Sequence, residues 1–511
     1  MKSYLSKYFV CIFCLLFLCN INAYTQEQPD TSTQNKVDSS VIKLKAEIDK
    51  LTKNSFMTKA KWGICVLTAD SGKTVVELNS DTGLIPASTM KAVNTAASLS
   101  MLGKDYTFKT YLMYDGDIDT SGVLHGNIFI KGGGDPTLGS PRIDTMNDIK
   151  YLLPDWLQRI QKLGIKKIEG SVIADASIFD DTIAPPSWLY GDLGNYYGTG
   201  SSGLNFHENS FIITLQSGKY YKAKAKVKEL NPPIPYIKID NNVLTGTKYT
   251  ADDTWTFGGP YDNTRMIKGW IPYNKKEYIL RSSLPDPSFY CAYALYKILK
   301  DSGIVITDSC TTIKMLADSG RLKKFQSFTV FHSISSPPLD TIIYHTNQRS
   351  INAYAETILK ILAYEKTGKG TTSVGTRIVT DFWRSKGVDL TGFKMIDGSG
   401  LSPDDRVSPR QLASIMRAFM SDSLYDVFYQ TLPLAGRSGT ISTIFKGTIA
   451  ENNLRAKSGY MRGIRSYTGY VTNKNNHLLT FGIIVNGHTA SAEKIRSLLE
   501  KIMILIAETN I

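Results

Sequence analysis

The chain has 511 residues, of which 42% are hydrophobic, 11% aromatic and 21% charged, fractions that exclude a disordered, collagen-like or coiled-coil protein. At ~100–200 residues per domain the length predicts about three domains. The net charge is +13, from 59 Lys and Arg against 46 Asp and Glu; these residues are scattered rather than striped, which predicts a soluble basic surface, no nucleic-acid partner, and at most a mild attraction to an anionic polymer.

Residues 1–23 differ in kind from the rest. Lys2 and Lys7 precede an apolar run over residues 8–19, and Asn20-Ile21-Asn22-Ala23 has the form of a cleavage site. The run is shorter than the ~20 residues a membrane span needs, so it predicts a secretory signal peptide and an exported, periplasmic protein. Cys19 offers an alternative, a lipid-anchored cysteine that would make the protein membrane-associated; Leu18 before it is bulky where such sites take a small residue. Cleavage leaves Cys65, Cys291 and Cys310. That odd number is no disulfide framework, and if any bridge forms it is Cys291–Cys310.

A polar linker over residues 24–37 leads to Val41, Leu44, Ile48 and Leu51, whose spacing predicts a helix. Two strands follow over 62–68 and 74–79, joined by the turn residues Ala69-Asp70-Ser71-Gly72 into a hairpin. Pro86 marks a helix start, and residues 90–102 are helical in composition. From 111 to 325 the pattern changes to short β-like runs (127–131, 168–174, 211–216, 236–239) punctuated by Gly, Pro and Asn, which predicts an inserted β-rich module. A helix over 352–365, strands over 465–472 and 478–485 around the turn 473–476, and a helix from Ser491 complete the chain. The expected organisation is a signal peptide (1–23), linker and N-terminal helix (24–55), a catalytic unit in two pieces (56–110 and 326–511) and the insertion (111–325).

The six histidines show no His-x-x-x-His spacing and the cysteines no Cys-x-x-Cys, so no metal site and no cofactor is expected. A serine nucleophile with a local lysine base is the remaining chemistry to look for, since i and i+3 share a helix face and a desolvated lysine can accept a proton. Ser-x-x-Lys occurs at Ser40–Lys43, Ser88–Lys91 and Ser491–Lys494. Ser40 and Ser491 open helices, where capping explains them. Ser88 follows Pro86 and heads an apolar helix, where a lysine is costly to bury unless it is paired or reactive. Ser-x-Asn occurs once, at Ser350-Ile351-Asn352, and Lys-[Ser/Thr]-Gly twice, at Lys366-Thr367-Gly368 and Lys457-Ser458-Gly459. The first of these ends a helix, where Lys and Gly are ordinary terminators. The second precedes the C-terminal strands, where a carboxylate-binding edge strand belongs. Gly398-Ser399-Gly400 lacks the strand and helix of a nucleophile elbow and reads as a tight active-site loop.

The trio Ser-x-x-Lys, Ser-x-Asn, Lys-[Ser/Thr]-Gly is the signature of penicillin-binding proteins and class A β-lactamases. With Gly134-Asp135-Pro136-Thr137-Leu138, Asp192-Leu193-Gly194-Asn195-Tyr196-Tyr197-Gly198, Asp397-Gly398-Ser399-Gly400-Leu401-Ser402 and Arg406-Val407-Ser408-Pro409-Arg410, the chain resembles the low-molecular-mass class C penicillin-binding proteins of peptidase family S13, the PBP4 (DacB) type of D-alanyl-D-alanine carboxypeptidase/endopeptidase. Departures are Ile351, where the family often has Asp, and Ser458 for Thr. The long stretch between Ser88 and Ser350 has no counterpart in single-domain β-lactamases.

The resemblance implies an α/β (α+β multi-domain) fold, with a penicillin-binding-protein/serine β-lactamase-like transpeptidase domain, an antiparallel sheet flanked by helices, split by a β-rich two-module insertion. It implies hydrolysis of peptidoglycan stem peptides through an acyl-enzyme, with β-lactam antibiotics as inhibitors. Ser88 is then the nucleophile, Lys91 its base, Ser350 the proton bridge, and Asn352 an orienting group. Lys457 is the adjacent positive charge and, with Ser458 and Gly459, binds substrate; the N–H groups of Ser88 and Tyr460 form the oxyanion hole. Trp188 and Asp192 read first as plain packing and capping; by the resemblance they fall where family members contact the stem-peptide side chain. A β-lactamase or D-amino-acid esterase, and a catalytically silent penicillin-sensing wall-binding protein, are the competing readings.

Overall fold

Trp62, Ile64 and Val66 alternate with Cys65 and Leu67, a period of two that makes a strand apolar on both faces. In the computed structural model, which describes residues 38–511 apart from 252, 323, 324 and 326, this strand is Lys61–Thr68. The expected signal peptide and the polar linker over residues 24–37 lie outside the described residues. The strand belongs to a five-stranded antiparallel sheet in the order Arg455–Met461, Ile464–Thr472, Leu478–Asn486, Lys61–Thr68, Thr74–Leu78. Trp62, Ile64 and Val66 pack with Leu44 and Ile48 of the helix Ser39–Thr52 and with Ile495 and Leu499 of the helix Ala492–Ala507. Cys65 and Leu67 meet Ala413 of the helix Pro409–Phe419 on the opposite face. Behind that helix, Met90–Leu102 and Asn352–Thr367 form a second core with Val93, Leu99, Ile358 and Leu362. A fully buried aliphatic side chain contributes ~1.5–3 kcal/mol, so the sheet is held from both sides.

The insertion has its own core around Trp156, Phe206, Ile213 and Leu295. Among the described residues it carries four sheets: a five-stranded one that includes Lys109–Asp115 and Phe328–Ser335, a four-stranded one of short strands, and two of three strands each. Lys109 pairs with Ser335, so the chain enters and leaves the insertion through neighbouring residues of one antiparallel pair. Phe328–Ser335 therefore belongs to the insertion by its hydrogen bonds, and we propose a boundary near 335 instead of 325. The contact between the units is polar as well as apolar. Lys360, 1% exposed on the helix Asn352–Thr367, donates to Asp180 Oδ1 (2.8 Å) and to the carbonyl of Thr182 (2.6 Å).

Several elements depart from the expectations. The insertion is not purely β: Ile149–Lys162 and Pro287–Asp301 are helices, the first burying Leu152, Trp156 and Ile160 at helical spacing. The run 168–174 divides into Lys167–Ile168 and Val172–Asp175, which join different sheets. It breaks at Gly170, where a Cβ would lie 2.4 Å from the Gly126 carbonyl oxygen. The strand expected over 236–239 forms at Lys238–Thr245, after the prolines. Asp38, not Ser40, caps the first helix, accepting from the Ser40 N–H (2.6 Å). Ser491 does cap the last one, accepting from the Lys494 N–H (3.1 Å). Cys65, Cys291 and Cys310 are all free and buried.

Candidate active site

Pro86 and Ala87 bring the chain to the end of the sheet, where a single 3-10 turn over Ala87–Thr89 leads into the helix Met90–Leu102. Ala87 has φ +48°, a left-handed conformation unusual for a residue with a Cβ. Two glycines make room for this turn. A Cβ on Gly400 would lie 1.9 Å from the Ala87 carbonyl oxygen, and one on Gly459 would lie 2.7 Å from the Pro86 carbonyl oxygen and 3.0 Å from the Ser88 nitrogen. The turn is thus clamped between the loop 397–402 and the edge strand Arg455–Met461.

Lys91 follows Ser88 by one helical turn and is wholly buried. Its Nζ donates to Ser88 Oγ (2.9 Å), Asn352 Oδ1 (2.6 Å) and the Ser399 carbonyl (2.7 Å). Burial pushes this amine down to about 7, although the carboxylates of Asp397, Glu356 and Asp405 oppose the shift. Desolvation therefore outweighs the attraction, and a large neutral fraction exists at neutral pH.

The helix Leu339–Arg349 stops at Ser350, which adopts the left-handed conformation (φ +57°), and a new helix starts at Asn352. That break turns both side chains toward Lys91 and the edge strand. Ser350 Oγ accepts from Lys457 Nζ (2.9 Å), which also donates to the Ser458 carbonyl (2.8 Å). Lys457 is wholly buried, and burial together with the amine of Lys91 holds it well below the usual lysine range. Asn352 Nδ2 donates to the carbonyl of Tyr197, a residue of the insertion (2.7 Å).

Ser88, Ser350, Asn352, Tyr460 and Asp192 line one cleft of about 730 Å³, with Arg142, Arg349 and Tyr197 among its other walls. Asp192 is half-buried, accepts from Tyr197 Oη (3.1 Å), and has its carboxyl raised by burial. Ser458 is turned to Thr440, donating to its Oγ1 (2.7 Å). Gly459 contributes space rather than a side chain. Trp188, 5% exposed, donates its Nε1 to Asp397 Oδ2 (2.7 Å), so it supports the loop 397–402 instead of facing the cleft. Lys366-Thr367-Gly368 ends the Asn352 helix with Gly368 as a left-handed cap, as a terminator does. Among the described residues no group of three His, Cys, Asp or Glu is placed to hold a metal.

Sequence reasoning missed the supports behind Lys91. Glu356, one turn beyond Asn352, accepts from the Gly398 N–H (3.1 Å) and the Ser399 N–H (2.8 Å). Asp397 accepts from the Gly400 N–H (2.6 Å) and the Ser402 N–H (2.7 Å). Burial and the neighbouring Asp397 raise the Glu356 carboxyl to about 8, and the same two causes hold Asp405 well above the usual carboxylate range. The sequence carried no signal for the Glu356 contacts, because they join segments 42 and 43 residues apart with no fixed spacing.

An antiparallel sheet between helices, with a Ser-x-x-Lys turn clamped at the sheet's end beside an edge strand, is the arrangement that the sequence resemblance implied. The structure superposes on penicillin-binding protein 4 (dacB) from Haemophilus influenzae with a TM-score of 0.74 at 22% identity, covering 91% of this chain and 98% of that one. The same protein complexed with a β-lactam gives 0.71 at 21% identity over the same shares of the two chains. A D-alanyl-D-alanine carboxypeptidase of Actinomadura sp. (strain R39) is 25% identical over 462 residues, covering 88% of this chain and 82% of the relative. Residues 44–506 match the D-Ala-D-Ala carboxypeptidase 3 (S13) family, and the chain belongs to that family. It is a serine-type carboxypeptidase.

Proposed function

We propose that the protein removes the terminal D-alanine from peptidoglycan stem peptides through an acyl-enzyme on Ser88. The single observation that carries this reading is the buried Lys91 amine, 2.9 Å from Ser88 Oγ and held down to about 7 by desolvation. Neutral Lys91 accepts the Ser88 proton as Oγ adds to the carbonyl between the two D-alanines. The N–H groups of Ser88 and Tyr460 receive the developing oxyanion, an arrangement worth ~3–4 kcal/mol per donor in comparable sites. The C–N bond then breaks, and the proton passes from Lys91 through Ser350 to the departing amine. Water attacks the ester with Lys91 again as base, releasing the shortened stem and restoring Ser88.

Lys457 and Ser458 lie where the terminal carboxylate would dock against the edge strand. Burial, with the neighbouring Lys91, disfavours the Lys457 ammonium, and an arriving carboxylate favours it. Asn352 aligns Lys91, and Asp192 faces the side chain of the stem. A cross-linked stem places the same amide in the same cleft, so the reading extends to D-alanyl endopeptidase activity. Penicillins imitate the dipeptide and are expected to stop at the ester. The N-terminal segment supports export to the periplasm; among the described residues no helix is long and apolar enough to cross a membrane.

Incubation with a penicillin followed by digestion and mass analysis tests the assignment. The expected result is an adduct on the Ser88 peptide that Ser88→Ala abolishes, together with D-alanine release from a pentapeptide. An adduct elsewhere, or none, overturns it.

A further inference from the structure

The insertion ends in three loops, 217–224, 246–251 and 272–276, that are tied to one another. The Lys222 N–H donates to the Thr245 carbonyl (2.8 Å), the Gly246 N–H to the Ile271 carbonyl (2.8 Å), the Tyr273 N–H to the Thr247 carbonyl (3.3 Å) and the Ser217 N–H to the Lys275 carbonyl (2.9 Å). Together these loops, with Asp252 and Glu277 completing two of them before the next strands begin at Asp253 and Tyr278, hold six lysines (219, 222, 224, 248, 275, 276), four tyrosines (220, 221, 249, 273) and two acidic residues, a net charge of +4. All ten side chains are exposed, Tyr249 by 82% and Tyr220 by 70%. Among the described residues none of the six lysines has a carboxylate partner within 4.0 Å. Elsewhere some lysines are paired, as Lys297 is with Asp301 and Lys314 with Asp318, and many are not; what sets the tip apart is the gathering of six cations in three adjoining loops. Concentrated unpaired cations beside exposed phenols are a different kind of surface.

We propose that this tip docks the enzyme onto an anionic lipid bilayer. The charge is complementary to phosphate headgroups, and each lysine near such a surface adds to the attraction. Tyrosine suits the headgroup level because its ring is apolar and its hydroxyl polar. The ring geometry favours lipid over stacked sugar. Lys222 lies over the Tyr221 ring at 5.5 Å and Lys248 over the Tyr249 ring at 4.8 Å, while Tyr221 is stacked on Trp270 at 5.9 Å. The Tyr221 ring is thus covered by Lys222 and Trp270 and one face of Tyr249 by Lys248, which leaves fewer open faces for a saccharide to stack on. The shallow depression among Lys219, Tyr221, Lys248 and Tyr273 is distinct from the catalytic cleft and shares no residue with it. Docking therefore positions the enzyme without altering its chemistry.

The test is flotation of the purified protein with vesicles of phosphatidylcholine, with or without phosphatidylglycerol. Binding is expected only with the anionic lipid and is expected to fall as salt rises. The triple variant Lys219→Glu, Lys248→Glu, Lys275→Glu should lose affinity by roughly two orders of magnitude, and Tyr220→Ser with Tyr249→Ser should weaken binding with the charge unchanged. Both variants should be acylated by penicillin at the unaltered rate, which shows that they fold and separates this result from the assignment of Ser88. Equal binding to both vesicle types, no binding to either, or binding to purified sacculi that the triple variant loses while vesicles bind nothing would each overturn the proposal.

Discussion

Glu356 reaches Lys91 through one residue. Its carboxyl holds the Ser399 N–H at 2.8 Å, and the Ser399 carbonyl accepts the Lys91 amine at 2.7 Å. The lysine is therefore fixed from behind by a carboxyl it does not touch, and from in front by Ser88 and Asn352.

The pH dependence of acylation follows from the Lys91 amine. With burial holding it at about 7 against an ordinary 10.5, the base becomes available as pH rises through about 7. The second-order rate with a penicillin should climb about tenfold per unit below that point and then level off. Between about 7 and 10.5 the unfolded chain binds a proton that the folded site does not, so raising pH through this window also favours the folded state. A rate independent of pH would remove Lys91 as base.

Asp397 is the foremost of the carboxylates that hold the Lys91 amine up against desolvation. Asp397→Asn should move the midpoint of the acylation profile to lower pH. It should also destabilise the protein by about 1–3 kcal/mol, because the side chain caps Gly400 and Ser402 and accepts from Trp188. Stopped-flow acylation and thermal melting read the two effects separately.

Gly459→Ala tests the clamp on the nucleophile turn. The added methyl would stand 2.2 Å from Ser466 Oγ and 3.0 Å from the Ser88 nitrogen, forcing the edge strand and the Tyr460 N–H away from Ser88. Acylation should fall about 100-fold or more, the loss seen when one oxyanion donor is removed.

The two Lys-[Ser/Thr]-Gly copies should separate cleanly. Lys457→Ala is expected to abolish D-alanine release, since it leaves Ser350 Oγ without its donor. Lys366→Ala, on an exposed helix end, should leave turnover within about twofold, the range of a neutral surface change.

The ion pair between the catalytic unit and the insertion should respond asymmetrically. Asp180→Ala strands the buried Lys360 ammonium and should cost about 3–5 kcal/mol. Lys360→Met leaves a carboxylate that is one-third exposed and can resume its hydration, so the loss should be smaller, about 1–2 kcal/mol. Chemical denaturation of both variants measures the difference.

The elements that surround the site were legible because their patterns are local. Val41, Leu44, Ile48 and Leu51 are the buried stripe of the first helix, and the helix expected over 90–102 forms at Met90–Leu102. The groups proposed as reactive were readable as three short motifs. What escaped detection is contact between segments far apart in the chain: Glu356 beneath Ser399, Thr440 beside Ser458, and Trp188 under Asp397. None of these has a fixed spacing, so no periodicity reveals them. The helices Ile149–Lys162 and Pro287–Asp301 were masked by the many short strands around them. The division of 168–174 depends on Gly170 crossing Gly126, a meeting of backbones that composition does not encode.

The antiparallel pairing of Lys109 with Ser335 bears on how such a protein could arise. Both crossings from one unit to the other occur side by side, so a segment spliced into an ancestral hydrolase at this seam needs no rearrangement of the host's strands. Once present, it is no longer a passenger. Asn352 donates to Tyr197, and Asp397 accepts from Trp188; excising the segment would strip both residues of a partner, making the graft easy to acquire and hard to relinquish.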